Sequence, residues 1–498
     1  MNRREFMKYS AFLAAAAATS SLISCDDLSE KYVKPEQLVL PGEKLLLSNA
    51  SVIDVVTGRI STGHILLQNG RILHVFPNDD TPMAYDRALD LCGAYVSPGF
   101  INAHCHMSMP CTVSGIGEGL VLAATRQTER NAEECIKHGV TTIRDMASLS
   151  CLVHDLKTKI NRGNVVGPRM ITSFLLDVDA GYLTTMTTMY GLIGDKRYFQ
   201  ATNTPREGRQ GVRKAMDQGA GLIKIAHQEL PFATILPLPK QMDLKTTRAI
   251  CNEAARHGIN VALHHTDYEG FQKGLDAGVT TFEHIVCDQA LTDKDLRRLK
   301  DSGAYITPTA SVGYAISWET TTDQGWDTGV KKLIADERKR LLVDFAYEYC
   351  EEPLAMAIEK EYERYSNPEY FDTFHLMPTI NLEATKTILD IGVENLIRCY
   401  EAGINMGCGN DGGIPFDFPG AMALEMYILE KTGLKTADIL RMATLNNAKL
   451  MGMDHDIGTI EAGKIGDLVV FDKNPLETFE HAFKPLMVFQ NGELAYKA

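Results

Sequence analysis

The sequence predicts an α/β fold in which a (β/α)8 barrel of the TIM type carries a small β-sandwich domain formed by both chain ends. The first observation is that short apolar, strand-like runs alternate with helical stretches through the middle of the chain. Strands that alternate with helices form parallel βαβ units, and eight such units close into a barrel. The second observation is that residues 44–97 and 455–498 both contain short strand-like runs. We therefore expect the barrel, residues 98–454, to be inserted between the two halves of the sandwich.

The predicted sandwich begins with a β-hairpin. Apolar runs at 63–67 and 71–75 flank Asn69-Gly70, a residue pair that favours the two-residue turn of a hairpin. The runs at 467–471 and 486–490 have the same strand-like character. They predict that C-terminal strands complete a domain that the N-terminal strands begin.

The barrel strands are predicted from eight apolar runs, and helical stretches such as 245–257 lie between most of them. No GxGxxG motif follows the first of these strands, which disfavours a dinucleotide-binding fold. The eight runs are 98–103, 140–145, 169–173, 222–226, 260–263, 280–284, 304–308 and 404–409.

The segment between the seventh and eighth strands, residues 311–390, is unusually long. It holds a charged helical stretch at 331–349 and an aromatic one at 362–374. Because a long insertion in a compact domain is usually functional, we predict a helical cap over the barrel mouth. A surface decoration or an oligomer contact is the alternative, and we expect the protein to form a homo-oligomer.

Composition describes a globular and acidic protein. Of 498 residues, 45% are hydrophobic and 23% are charged, and the formal net charge is −14. A surface of this sign argues against nucleic acid as a partner. The 11 cysteines include no CxxC pair, so we expect neither a disulfide framework nor a zinc finger.

The first 25 residues resemble an export signal. Paired arginines at Arg3 and Arg4 precede an apolar run from residue 11 to 24, which is shorter than the ~20 residues that span a bilayer. The arginines resemble a twin-arginine signal, and residues 22–25 resemble a lipobox ending at Cys25. We predict a signal peptide over 1–25, lipidation of Cys25 and a polar tether over 26–43. The mature protein would be lipid-anchored at the periplasmic or cell-surface side of a bacterial membrane; an uncleaved apolar anchor is the alternative.

Ionisable residues lie where the predicted barrel strands end. His104 and His106 end the first strand, and because alternate residues of a strand face the same way, both imidazoles can converge on one metal ion. His264 and His284 end the fifth and sixth strands, and Asp411 ends the eighth. The carboxyl ends of barrel strands are where such folds place catalysis.

Lys224 lies within the predicted fourth strand, in an apolar stretch over residues 221–225 that reads GLIKI. A buried lysine is costly unless it is paired or chemically altered. The sequence leaves open a salt bridge or a carbamate formed with CO2, which would turn the amine into an anionic ligand.

Three motifs resemble those of the amidohydrolase superfamily, and within it the imidazolonepropionase-like and Xaa-Pro dipeptidase-like branch. Residues 97–106 read SPGFINAHCH, residues 139–145 read GVTTIRD and residues 458–470 read GTIEAGKIGDLVV. The resemblance spans about residues 44–498. It implies a barrel joined to a β-sandwich, which is the fold predicted above.

The resemblance also implies a site with two metal ions. One ion would be held by His104, His106 and Asp411, and a second by His264 and His284, with a carboxylated Lys224 bridging them. Imidazole and carboxylate ligands suit Zn2+, which would activate a water for attack on a small-molecule amide, with Asp411 as the proton-transferring residue. We expect a metal-dependent hydrolase of carbon–nitrogen bonds that acts on an N-acyl amino acid or a dipeptide.

The substrate loops depart from the family pattern. Thr266 stands where related dipeptidases carry a second histidine after strand five, and the loop after strand three contains Tyr182 instead of a Gly-Gly-His sequence. We take Tyr182, His227 and His265 as candidate substrate-contacting residues.

Two other classes of function compete with this prediction. The spacing of His264 and Asp267 resembles the His-x-x-Glu of single-metal deaminases, so a mononuclear deaminase or a ring-opening cyclic-amide hydrolase is the alternative enzyme. A solute-binding or adhesion module is the non-enzymatic alternative. The complete set of metal-ligand candidates argues against the binding module.

Overall fold

The computed structural model describes residues 40–80, 83–109, 111–112, 126–148, 150–184, 198–227, 233–234, 239–316, 337–365, 379–380 and 387–498. The predicted signal peptide, Cys25 and most of the tether lie outside these residues, so export and lipidation stay predictions. Among the helices described, none has the length and apolar character needed to cross a membrane. Nine cysteines within the described part of the chain are free thiols.

Both chain ends contribute to one mixed sheet of eight strands. The Asn69-Gly70 hairpin is present, and both residues have positive φ, 51° and 79°, as a type I′ turn requires. Strand β17 (Leu468–Phe471) near the C-terminus pairs antiparallel with β5 (Tyr95–Pro98) of the N-terminal segment, which confirms the predicted small domain. Its strands are β1 (Lys44–Asp54), β2 (Arg59–Gln68), β3 (Arg71–Pro77), β4 (Arg87–Asp90), β5 (Tyr95–Pro98), β17 (Leu468–Phe471), β18 (Met487–Gln490) and β19 (Glu493–Lys497).

The middle of the chain forms a curled sheet in which eight parallel strands pair in chain order, as predicted, and one short extra strand adds to the side of the third. The eight strands are β6 (Phe100–Cys105), β7 (Val140–Asp145), β8 (Arg169–Asp177), β10 (Leu222–Ala226), β12 (Asn260–His264), β13 (Thr281–Glu283), β14 (Tyr305–Thr307) and β16 (Asn405–Met406), and the extra strand is β9 (Phe199–Ala201). Two further short strands, β11 (Ala233–Thr234) and β15 (Thr379–Ile380), pair antiparallel with each other outside this sheet.

The first and eighth strands meet and close the barrel. Asp411 N donates to His104 O at 2.8 Å, and His106 N donates to Gly412 O at 2.7 Å. A Cβ on Gly409 would lie 2.5 Å from His104 N, so glycine permits the close approach of the two segments. The backbone seam therefore fixes Asp411 beside both histidines of strand one.

The eighth strand, Asn405–Met406, is shorter than the predicted run 404–409 because backbone groups beyond it form hydrogen bonds outside the regular strand pairing. Cys408 N donates to Asn447 Oδ1 at 3.0 Å. The third strand is longer than predicted because β9 pairs with residues 175–177.

Helices surround the barrel, and the predicted helix 245–257 is present, shifted by one residue. They are α1 (Thr128–Lys137), α2 (Ser150–Asn161), α3 (Pro205–Asp217), α4 (Leu244–Arg256), α5 (Tyr268–Ala277), α6 (Asp293–Ser302), α7 (Ala310–Ile316), α8 (Phe345–Tyr349), α9 (Glu352–Tyr365), α10 (Val393–Glu401), α11 (Met422–Lys431), α12 (Thr436–Arg441) and α13 (Asn447–Leu450).

The described parts of the 311–390 insertion are mainly helical. A π-helical turn over Arg340–Asp344 leads into α8 and α9, and Arg130 Nε of α1 donates to Tyr349 O at 2.6 Å. Most of the predicted aromatic stretch 362–374 lies outside the described residues. The cap over the barrel mouth remains a prediction.

Candidate metal centre

The six residues predicted as metal ligands lie at one end of the barrel, within its strands or in the segments that follow them; Asp411 comes five residues after the eighth strand ends at Met406. None exposes more than 9% of its surface. Such burial of so many polar groups requires partners, because an unpaired buried polar group is costly. The six are His104, His106, Lys224, His264, His284 and Asp411.

Five of the six side chains touch one another directly. Asp411 Oδ1 lies 2.8 Å from His106 Nε2 and 3.1 Å from His104 Nε2. His284 Nε2 lies 2.9 Å from His264 Nδ1, and its Nδ1 is 4.0 Å from Asp411 Oδ2. One ligand atom from each of His104, His284 and Asp411 falls within a group no wider than 4.8 Å. The structure therefore joins strands one, five, six and eight in a single cluster.

The rings of strand one are oriented by their outer nitrogens. His106 Nδ1 donates to Ala147 O at 2.8 Å, and His104 Nδ1 lies 2.8 Å from Glu283 Oε2. In both rings Nε2 is consequently the nitrogen that faces Asp411. Hydrogen bonds to the outer nitrogen are how proteins orient metal-binding histidines.

Two members of the cluster adopt a strained backbone conformation. His284 has φ of 73° and Asp411 has φ of 56°, a left-handed conformation that is uncommon for residues other than glycine. Glu283 ends strand six and reaches His104, so the turn at His284 lets two consecutive residues face the same centre. Thr309 Oγ1 lies 2.7 Å from His284 Nδ1 and supports that ring. Strain of this kind is typical of functional sites.

Lys224 is only 1% exposed. Among the described residues, its Nζ has neither a hydrogen-bond partner nor a salt bridge, so the salt bridge left open by the sequence is not found there. Burial lowers the pKa of Lys224 to about 8, although the charges of Glu283 and Asp411 oppose the change. An amine in this state is closer to the neutral form that reacts with CO2.

Electrostatics favours the protonation states that bind metal. Burial alone would raise the pKa of Asp411, but the neighbouring His104 and His106 outweigh it and hold the pKa well below its usual range. Burial and adjacent positive groups hold the pKa values of His264 and His284 well below the ordinary value. Asp411 is thus a carboxylate and both histidines are neutral, as metal ligands must be.

The three candidate substrate residues separate into two groups. Tyr182 stacks on the ring of His264, with centroids 4.4 Å apart and planes 14° from parallel. His227, in contrast, lies toward helix α4 with Nε2 3.0 Å from Thr247 Oγ1. His265 packs against the rings of Phe271 and Phe282. The side chains of His227 and His265 are enclosed between strands and helices, and of these three side chains only that of Tyr182 stacks on a ring of the cluster.

Asp267, the candidate deaminase acid, caps a helix. Its side chain accepts from Gly270 N at 2.6 Å at the start of α5. This is the ordinary role of an aspartate before a helix.

Sequence reasoning missed a buried ion pair beneath the cluster. Arg144 Nη2 lies 2.6 Å from Glu283 Oε1. The signal available in the sequence was that each residue is a charged residue inside a predicted apolar strand. Arg144 lies in the GVTTIRD motif, and Glu283 directly precedes His284.

The residues present fit a metal ion on chemical grounds. Four imidazoles and a carboxylate are ligands that zinc accepts, and the buried amine of Lys224 lacks a partner among the described residues.

Residues 95–495 match the amidohydrolase family. The chain belongs to this family. It is 20% identical over 463 residues to an imidazolonepropionase of Brevibacillus brevis, covering 85% of this chain and 87% of that protein. It is 24% identical over 428 residues to an adenine deaminase of Serratia proteamaculans, covering 86% of this chain and 53% of that protein.

Among solved structures, a Xaa-Pro dipeptidase with bound methionine in its active site shares the fold. The TM-score is 0.68 at 20% identity, over 91% of this chain and 100% of that chain. The predicted membership of the amidohydrolase family is thereby confirmed, and these similarities are consistent with its imidazolonepropionase-like and dipeptidase-like branch. The protein is a hydrolase of carbon–nitrogen bonds.

Proposed function

We propose that this amidohydrolase cleaves an amide bond of a small molecule, an N-acyl amino acid or a dipeptide, with the aid of bound metal. The observation that carries the proposal is the convergence of His104, His106, His264, His284 and Asp411 in one cluster. Five such groups are costly to bury, and they meet at the end of the barrel where folds of this type place catalysis. A structural core does not require them there.

The residues divide into two ligand sets in this proposal. His104, His106 and Asp411 would hold one zinc ion, and His264 and His284 would hold a second, with a carboxylated Lys224 between the sets. Bound zinc supplies an acidified water and polarises the scissile carbonyl.

The protein's own groups carry out the remaining steps. Asp411 accepts the proton of the attacking water and delivers it to the leaving nitrogen. Its backbone, hydrogen-bonded to His104 O at 2.8 Å, holds the carboxylate in place. Tyr182 covers one face of His264 and would position the substrate beside it while limiting access of bulk water.

A deaminase or cyclic-amide hydrolase with one metal ion is the second candidate. The close grouping of His104, His284 and Asp411 and the similarity to an adenine deaminase favour it. The capping role of Asp267 speaks against it, because that carboxylate already serves the start of a helix.

We propose a small-molecule substrate, no nucleic-acid partner, a homo-oligomer, and attachment to a bacterial membrane only through lipid on Cys25. Mass spectrometry of the membrane fraction from a bacterial host would detect the lipidated cysteine, and an unmodified soluble protein would contradict the anchor.

Elemental analysis of the purified protein, combined with a substrate panel, tests the function. The panel holds N-acyl amino acids, dipeptides, cyclic ureides and aminopurines. Two metal ions per chain with amide cleavage support the main proposal, and one ion with ammonia release supports the deaminase. Asp411→Asn should abolish turnover, whereas the enclosed His227→Asn should retain it. Absence of both metal and turnover would contradict both candidates.

A further inference from the structure

We propose that the buried pair Arg144 and Glu283 is a positioning device that sets the metal affinity of the centre by holding the ring of His104. The inference rests on the proposed role of His104 as a metal ligand. Arg144 and Glu283 do not touch the substrate in this proposal. They act through His104 alone.

The pair spans three barrel strands. Arg144 of β7 donates from Nη2 to Glu283 Oε1 of β13 at 2.6 Å and from Nε to Ala103 O of β6 at 2.6 Å. Thr281 Oγ1 donates to the same Oε1 at 2.6 Å. Arg144 is 1% exposed and Glu283 is 0% exposed. The carboxylate is thus held on one side by an arginine that is itself fixed to strand one.

The other oxygen of Glu283 reaches the cluster. His104 Nδ1 donates to Glu283 Oε2 at 2.8 Å. A neutral imidazole carries one proton, and a carboxylate on Nδ1 keeps that proton there and leaves Nε2 as the ligand atom. In this geometry Nε2 lies 3.1 Å from Asp411 Oδ1.

A purely structural role explains these residues poorly. A buried ion pair gains little stability over well-packed apolar residues, because desolvation offsets the attraction between the charges. Barrel interiors are usually filled by branched apolar side chains. The pair instead lies against the ring of His104, and the carboxylate of Glu283 accepts the hydrogen bond from Nδ1 of that ring.

Chelator competition on the full-length protein tests the inference. Zn2+ affinity is measured against a chromophoric chelator, and the visible spectrum of the Co2+-substituted protein reports ligand geometry. Glu283→Gln should lower the affinity roughly 10- to 100-fold and alter the Co2+ spectrum.

Glu134→Gln is the matched control. Glu134 is 3% exposed and pairs with Lys137 on α1 at 2.7 Å. None of its described ion pairs involves one of the six cluster residues. This variant should leave Zn2+ affinity unchanged even where it lowers the melting temperature.

A milder variant covers the case in which Glu283→Gln does not fold. Thr281→Val removes only the hydroxyl that donates to Glu283 and should lower Zn2+ affinity several-fold. Folded variants with wild-type affinity and spectrum, in a wild-type protein that binds metal, would overturn the positioning role alone. A wild-type protein that binds no metal would overturn both this inference and the proposed metal-dependent function.

Discussion

Among single residues, the candidate metal centre contains polar side chains and backbone conformations that are uncommon in a protein interior. Lys224 is enclosed without a described partner, and His284 and Asp411 adopt left-handed backbone conformations. Each feature costs free energy in the folded protein. Their concentration around one point indicates that the site is maintained for function and not for stability.

Replacement of Lys224 by methionine should separate function from stability. Methionine fills a similar volume and is favourable in a buried place, so the melting temperature of Lys224→Met should equal or exceed that of the wild type. In the proposed two-metal centre, metal content should fall to one ion per chain or fewer, since methionine has no amine from which the proposed carbamate could form. Elemental analysis and calorimetry measure the two effects.

The exposed Lys449→Met is the control for this variant. Unchanged metal content in Lys224→Met would contradict the bridging role.

At the scale of elements, the loop after β8 places Tyr182 over the cluster. Asp177 ends this strand, and its carboxylate accepts from Val178 N at 2.9 Å and Thr184 N at 3.1 Å. A Cβ on Gly181 would lie 2.3 Å from an oxygen of this carboxylate, so glycine lets the loop wrap closely around it. The buried acid thus shapes the loop that presents Tyr182 to His264.

Asp177 should make stability depend on pH. Burial raises its pKa to about 7, so the folded state retains a proton that the unfolded state has already lost between pH 4 and 7. Stability should therefore fall as pH rises through this window, by an amount on the order of 2–4 kcal/mol. Denaturant titrations of Asp177→Asn should show a smaller decline than those of the wild type.

The neighbouring exposed Asp179→Asn provides the control on the same loop. If the wild type and Asp177→Asn lost equal stability between pH 4 and 7, the carboxyl of Asp177 would not be the group responsible.

At the scale of the whole molecule, the two ends of the chain depend on each other. Strand β17 is fully buried and lies between β5 and β18. Arg169 at the start of β8 donates to Asp467 Oδ2 at 2.8 Å, which ties the small domain to the barrel. The small domain is therefore completed only after the barrel has been synthesised.

Two C-terminal truncations should differ sharply. Deletion after Gly492 removes only the edge strand β19, and a soluble protein with a lower melting temperature is expected. Deletion after Gly466 removes β17 and β18 as well and leaves the paired edge of β5 without its neighbouring strand, so insoluble protein is expected. Solubility and thermal unfolding measure the difference, and a soluble, cooperatively folding product of the longer deletion would contradict the dependence.

Local sequence patterns were enough to predict the strand order, the pairing of the chain ends and which residues gather in the cluster. These properties follow from local patterns: apolar runs mark strands, Asn69-Gly70 marks a turn, and residues at the carboxyl ends of parallel strands meet at one end of a barrel. The motifs around His104 and His106 carried the family resemblance.

The direction in which side chains near strand ends point depends, in contrast, on the folded barrel. The left-handed turn at His284 lets it share a centre with Glu283, whereas His265 follows regular alternation and packs toward a helix. Asp267 proved to be a helix cap, and Arg144 found Glu283 across the barrel. These contacts join residues far apart in the chain through the register and closure of the sheet, which no local pattern contains.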